Sequence, residues 1–148
     1  MPTLRDRSTR AAIAVRLDRL LPTAPPRWGR MTAPQMLAHL NDAIDMAFGD
    51  RPVPVRNLPL ARTWLMKQLI FHVLPFPKNV PSAKEITTRA PDAFEVERQR
   101  LTSQMERMDA AITGVECASH PIFGKLTPNE WGTLGYRHTD HHLRQFGV

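Results

Sequence analysis

The chain has 148 residues, 42% of them apolar, and a formal net charge of +6. That is the length of one domain, and a globule of this size hides roughly 70% of its unfolded surface, which argues against disorder. A lone cysteine, Cys117, excludes an internal disulfide and a cysteine-rich zinc site.

No run of about 18 uncharged apolar residues offers a transmembrane span, and Met1 to Asp6 carries no apolar stretch of the secretory kind. A single domain over residues 1–148, in the reducing cytoplasm, is the expectation. Only Lys67, Lys78, Lys84 and Lys125 are lysines among the 20 basic residues. The arginines are scattered, densest at Arg5, Arg7 and Arg10, with few aromatics among them, so no nucleic-acid surface is expected. Abundant arginine beside 14 prolines also fits GC-rich bacterial coding, which says nothing about partners.

Four helices are expected, with no alternating strand pattern and no internal repeat. The first runs from about Ser8 to Leu21, with Ile13, Leu17, Leu20 and Leu21 at helical spacing and Pro22 beyond. The second opens at Thr32-Ala33-Pro34-Gln35, a threonine cap with glutamine three residues later. Met36, His39, Leu40, Ala43, Ile44 and Ala47 form its inner stripe, and Gly49 stops it.

A third begins near Pro91-Asp92 and carries Phe94, Leu101, Met105, Met108 and Ile112 as far as Gly114. The fourth opens at Thr127-Pro128-Asn129-Glu130, and its inner face carries Trp131, Leu134, Gly135, His138, His142 and Gln145. Between the second and third, Pro59 to Leu74 reads as an extra helix with Leu60, Trp64, Leu69, Ile70 and Val73 on a broad apolar face. Pro75 to Pro91 holds four prolines and no periodicity, and a loop that long is functional or disordered more often than not. The whole is expected to be an all-α four-helix bundle with a long crossover, which permits its second and third helices to run parallel.

His138 and His142, four apart, project from one helix face at about 5 to 6 Å between Cβ atoms. Two imidazoles so placed converge on one ion at metal–nitrogen distances of about 2.0 to 2.1 Å. His39, inside an apolar stripe where an unpartnered imidazole is costly, is the leading third ligand. His39 alone reads more readily as a core histidine, and a histidine pair near a helix C-terminus also complements the dipole; the three together favour a metal. His141 reads as a ligand, a group behind the ligands, or a rim residue. Gln145, one turn beyond His142, is placed to orient a ligand or a substrate. His72 and His120 lack a partner at ligand spacing and read as ordinary residues. Glu97 and Gln104 read as exposed, Trp64 and Trp131 as core or wall, Asp140 as pointing away from the ion, Arg144 as solvated and Cys117 as unactivated.

The string His138-Thr139-Asp140-His141-His142, with Gln145, resembles the last-helix motif of the DinB-like (YfiT-like) superfamily of metal-binding four-helix bundles. Met36-Leu37-Ala38-His39-Leu40 is similar to that family's second-helix motif. His120 to Thr127 with Glu130-Trp131 resembles an uncharacterised branch of the superfamily. The likeness covers about Trp28 to Phe146. It implies an up-down-down-up bundle with His39, His138 and His142 as ligands, and a small-molecule substrate. Family members act on varied substrates, several of them transferring low-molecular-weight thiols. The Pro59 to Leu74 insert is not part of the shared core.

Three neutral histidines leave an ion its full charge and an open position, as catalytic sites do. All-imidazole sites suit zinc, nickel, copper or iron, with zinc and nickel the leading candidates. A thiol transferase, a hydrolase, and a metal- or ligand-binding bundle without turnover all remain open, as does an interaction protein whose apolar insert, Leu60 to Val73, forms a homodimer or meets a membrane surface.

Overall fold

A computed structural model describes residues 1–56, 58–76, 89–110, 112, 114 and 116–148. The all-helical expectation holds for them: α1 (Arg7–Asp18), α2 (Ala33–Phe48), the short α3 (Trp64–Gln68), α4 (Phe94–Glu106) and α5 (Pro128–Gln145). No strand accompanies them among the described residues, where one isolated bridge joins His120 to Gly124.

Local sequence starts the two helices that matter most. Thr32 caps α2 and Thr127 caps α5, each in a full capping box with Gln35 or Glu130, and proline follows each cap. Gly49, at φ +82°, ends α2 in the left-handed conformation that glycine adopts without strain. Ile13, Leu17, Met36, Leu37, Leu40, Leu101, Met105 and Leu143 form the centre of the core. Helix α2 packs against α4 and α5, α1 packs against α4 and α5, and the crossover segment leans on α5. Leu4 is fully buried and its N–H donates to the Gly132 carbonyl at 3.0 Å. A Cβ at Gly135 would stand 2.9 Å from Leu4 Cδ1, so glycine there lets the N-terminal segment lie on α5.

Three expectations need correction. First, α1 ends at Asp18, and Leu21, expected on the inner face, is exposed. Second, α4 ends at Glu106 and not near Gly114, and Ile112 is exposed. The cause is the N-terminal segment: the Arg5 carbonyl accepts from Ala110 N–H at 3.1 Å, and buried Arg10 pairs with Asp109. A chain held by those partners cannot continue the i to i−4 ladder.

Third, the insert is not one helix. It is a 3-10 turn (Pro59–Arg62), then α3, then a π turn (Leu69–Val73). Its buried residue is Phe71, which packs edge-on against Phe123, whereas Leu60 and Trp64 are each 73% exposed and Val73 68%. The widening has a partner: Arg137 of α5 donates to the Ile70 carbonyl at 2.7 Å and to the Leu74 carbonyl. Of the Pro75 to Pro91 loop, residues 77–88 lie outside the described residues.

Candidate metal centre

The α2 stripe that packs on α5 presents His39, and the facing stripe of α5 presents His138 and His142. One ring nitrogen from each lies within 4.8 Å of the other two. His138 Nε2 is 2.9 Å from His39 Nε2 and 3.2 Å from His142 Nε2. His39 meets both partners edge to face and His138 and His142 are tilted to each other, with centroids 4.8 to 4.9 Å apart. His39 and His142 are buried and His138 half-buried.

Hydrogen bonding fixes which nitrogen of His142 faces inward. Gln145 Nε2 donates to the Trp28 carbonyl at 2.6 Å, so its Oε1 is the atom 2.7 Å from His142 Nδ1. An amide oxygen accepts only; Nδ1 therefore carries the proton, and Nε2 turns a lone pair toward the other two histidines. Burial, then the nearness of His39 and His142, drives the His138 pKa well below its ordinary value. Burial and the nearness of His39 lower that of His142 to about 3, against a smaller opposing effect of Gln145. Both rings are neutral at pH 7, the form that coordinates a metal.

The donor set fits a divalent transition metal. Two nitrogens bound at about 2.0 to 2.1 Å with a tetrahedral angle between them stand about 3.3 Å apart, close to the spacings around His138. A purely hydrogen-bonded trio fits less well. A proton on His138 Nε2 serves one neighbour and leaves the other lone pair opposed, whereas one cation satisfies all three.

Replacing Gln145 by leucine frees the His142 tautomer and is expected to weaken zinc binding by about 10- to 100-fold. Gln145→Glu, which keeps an acceptor at Nδ1, is expected to retain most of it. Competition against a chromophoric chelator separates the two, and equal affinities in both variants would contradict this role for Gln145.

The histidines stand at the wall of a mostly apolar cavity of about 1210 Å³. Phe76 stacks on His138, with centroids 5.6 Å apart and planes 18° from parallel. His141 is outside the trio; it lies between Trp28 (5.5 Å) and Phe76 (5.3 Å) at the rim. Trp131 is a buried wall residue whose Nε1 donates to the Ala118 carbonyl at 3.1 Å. Asp140 turns to Arg16 and Arg144, and Arg144 is largely exposed. His72 is exposed and contacts Met1 Sδ. Burial raises the Cys117 thiol pKa more than Arg5 lowers it, so the thiol is not activated.

Trp64, expected in the core or wall, is on the surface. Glu97 and Gln104, expected outside, are buried. Arg89 grips Glu97 with two parallel bonds of 2.6 and 2.8 Å, Asn41 Nδ2 donates to it at 2.8 Å, and Arg89 Nε also reaches Asp42 at 3.0 Å. Gln104 donates to buried Asp45, which Arg100 also holds. Both carboxylates on α2 thus face away from the histidines, where arginines compensate their burial.

Sequence reasoning missed Trp28, Phe76 and Arg137. No spacing marks Trp28 or Phe76, which lie in irregular segments, and Arg137 shows its use only once its two carbonyl partners are in place.

The profile of a family described as protein of unknown function, DUF1569, matches residues 7–147. No curated protein and no solved structure matches the chain. The profile spans the chain from the first residue of α1 to Gly147 and takes in all three histidines, so the chain belongs to the DUF1569 family of proteins of unknown function.

Proposed function

We propose that the protein is a metal-dependent enzyme of the DinB-like kind, holding a divalent transition metal, zinc or nickel first, on His39, His138 and His142. The observation that carries this reading is the convergence of three imidazole nitrogens within 4.8 Å at the wall of a large cavity. A cation held there supplies Lewis acidity, lowering the pKa of a water or a low-molecular-weight thiol toward neutrality. The chain's own residues do the rest. Gln145 keeps the proton on His142 Nδ1, Phe76 stacks on the flank of His138, and Trp28 packs against His141 beside the trio. The cavity admits and orients a small-molecule substrate. Thiol transfer and hydrolysis both suit such a site.

The observation favouring a second reading, a metal- or ligand-binding protein without turnover, is that no carboxylate lines the cavity among the described residues. Protein loaded with zinc or nickel and screened with small thiols plus electrophiles, and with esters, decides between them. Turnover that disappears in His142→Ala is the expected result; binding without turnover across the screen would favour the second reading.

The last-helix histidine motif and the long crossover also support reading α1, α2, α4 and α5 as one up-down-down-up bundle domain, and the lone cysteine accords with the reducing cytoplasm. A homodimer through Leu60, Trp64, Leu65 and Val73 accords with the exposure of these four large apolar side chains. Sedimentation should give a two-chain mass for the parent and a one-chain mass for Trp64→Glu; a monomeric parent would contradict the dimer.

A further inference from the structure

The segment His120-Pro121-Ile122-Phe123-Gly124 closes on itself. His120 N–H donates to the Gly124 carbonyl at 2.8 Å, and Gly124 N–H donates back at 2.9 Å. Gly124 sits at φ +69°, a conformation costly for a side-chain-bearing residue. Inside this turn His120 Nδ1 accepts from two backbone donors, Ile122 N–H at 3.1 Å and Phe123 N–H at 3.2 Å. A nitrogen that accepts carries no proton, so in the neutral ring the proton is on Nε2. The ring is held between Phe123, stacked at 4.6 Å, and Trp131, tilted at 5.2 Å, and it lines the same cavity as the three histidines. Burial, with a smaller effect of Lys67, lowers its pKa to about 4, so one fixed tautomer persists at neutral pH.

We propose that His120 Nε2 is a fixed hydrogen-bond donor for the ligand of this cavity, and that the ligand is a largely apolar small molecule carrying an acceptor oxygen, as a ketone or ester does. This deepens the reading of the cavity as the chamber in front of the three-histidine site and rests on it for the reaction. Phe123 and Trp131 flank His120, and Ile122, Leu134 and Met108 also line the cavity, so an acceptor oxygen meets few competing donors among these side chains. A ring needed only to cap the turn has no use for a second, protonated nitrogen, and an asparagine satisfies the same backbone donors.

That difference gives the test. Calorimetric titration of the metal-free and the zinc-loaded protein uses a matched pair of probes, 4-phenyl-2-butanone and butylbenzene. The expected result is that the parent binds the ketone about fivefold more tightly than the hydrocarbon, the worth of one net hydrogen bond. His120→Asn, which keeps an acceptor for the turn, and His120→Phe, which keeps the ring, are both expected to lose that preference while still binding butylbenzene. His120→Asn should keep the thermal midpoint and zinc content of the parent.

A ketone preference that survives in a folded His120→Asn protein overturns the proposal, and so does a parent that binds neither probe. Because the preference is read in metal-free protein too, a failure of the metal site leaves this result standing. A failure of His120 likewise leaves the metal content untouched.

Discussion

Replacing His39 or His142 by alanine is expected to lower zinc affinity by roughly a hundredfold to a thousandfold, the share of one ligand in a site worth about 10 to 16 kcal/mol. Either change breaks the trio, because His138 Nε2 lies within 3.2 Å of both partners. The loss shows in stability as well. At free zinc a thousandfold above its Kd, binding stabilises the parent by about 4 kcal/mol, or roughly 10 °C in Tm for a chain of this length. The variants, at the same free zinc, should keep only about 0.4 to 1.4 kcal/mol of that stabilisation. Calorimetry with and without zinc measures it, and a zinc-dependent rise in His142→Ala equal to that of the parent would remove His142 from the ligand set. His141→Ala serves as the control, since His141 stands at the rim and is expected to leave the rise intact.

The second large effect is at Glu97. Its carboxylate is fully buried and bound by Arg89, Asn41 and the Asp92 N–H. Removing one member of such a pair leaves the other charge uncompensated, so Glu97→Ala is expected to cost about 3 to 5 kcal/mol, a large share of the roughly 5 to 15 kcal/mol that holds a domain together. Burial alone would push the Glu97 pKa up, but the bonds from Arg89, Asp92 and Asn41 outweigh it and hold it at about 2 against an ordinary 4.5. A folded-state value below the unfolded one means stability that is present above about pH 4.5 and is lost as pH falls toward 2, of the order of 3 kcal/mol in all. Denaturant midpoints between pH 5 and 2.5 should fall steeply in the parent and less steeply in Glu97→Gln. Equal slopes would show that the ion pair with Arg89 does not shape acid stability.

What the sequence made legible was local. The capping boxes at Thr32 and Thr127 need only residues three apart, and both helices start where those residues say. The histidine trio was legible because helical periodicity alone puts His39 on the inner stripe of α2 and His138 and His142 on that of α5. Long-range partners carried the rest. Helix α4 stops early because Arg5 and Arg10, about a hundred residues away, claim Ala110 and Asp109. Glu97 looked like a solvated charge because nothing in a linear sequence marks Arg89 as its partner across a turn. The π turn at Leu69–Val73 rests on Arg137, 67 residues from Ile70, and a helical pattern read by itself runs straight through it. His120 read as ordinary for the same reason: its tautomer is set by the turn it closes, not by its spacing from the other histidines.

The most direct test of the three-histidine site is the metal content of untagged parent protein, measured by mass spectrometry as purified. About one zinc, nickel or other transition-metal ion per chain, with little in His39→Ala, is the expected result. A folded parent that carries no metal, and takes up neither zinc nor nickel at about pH 7.5, where exposed imidazoles are mostly neutral, would contradict it.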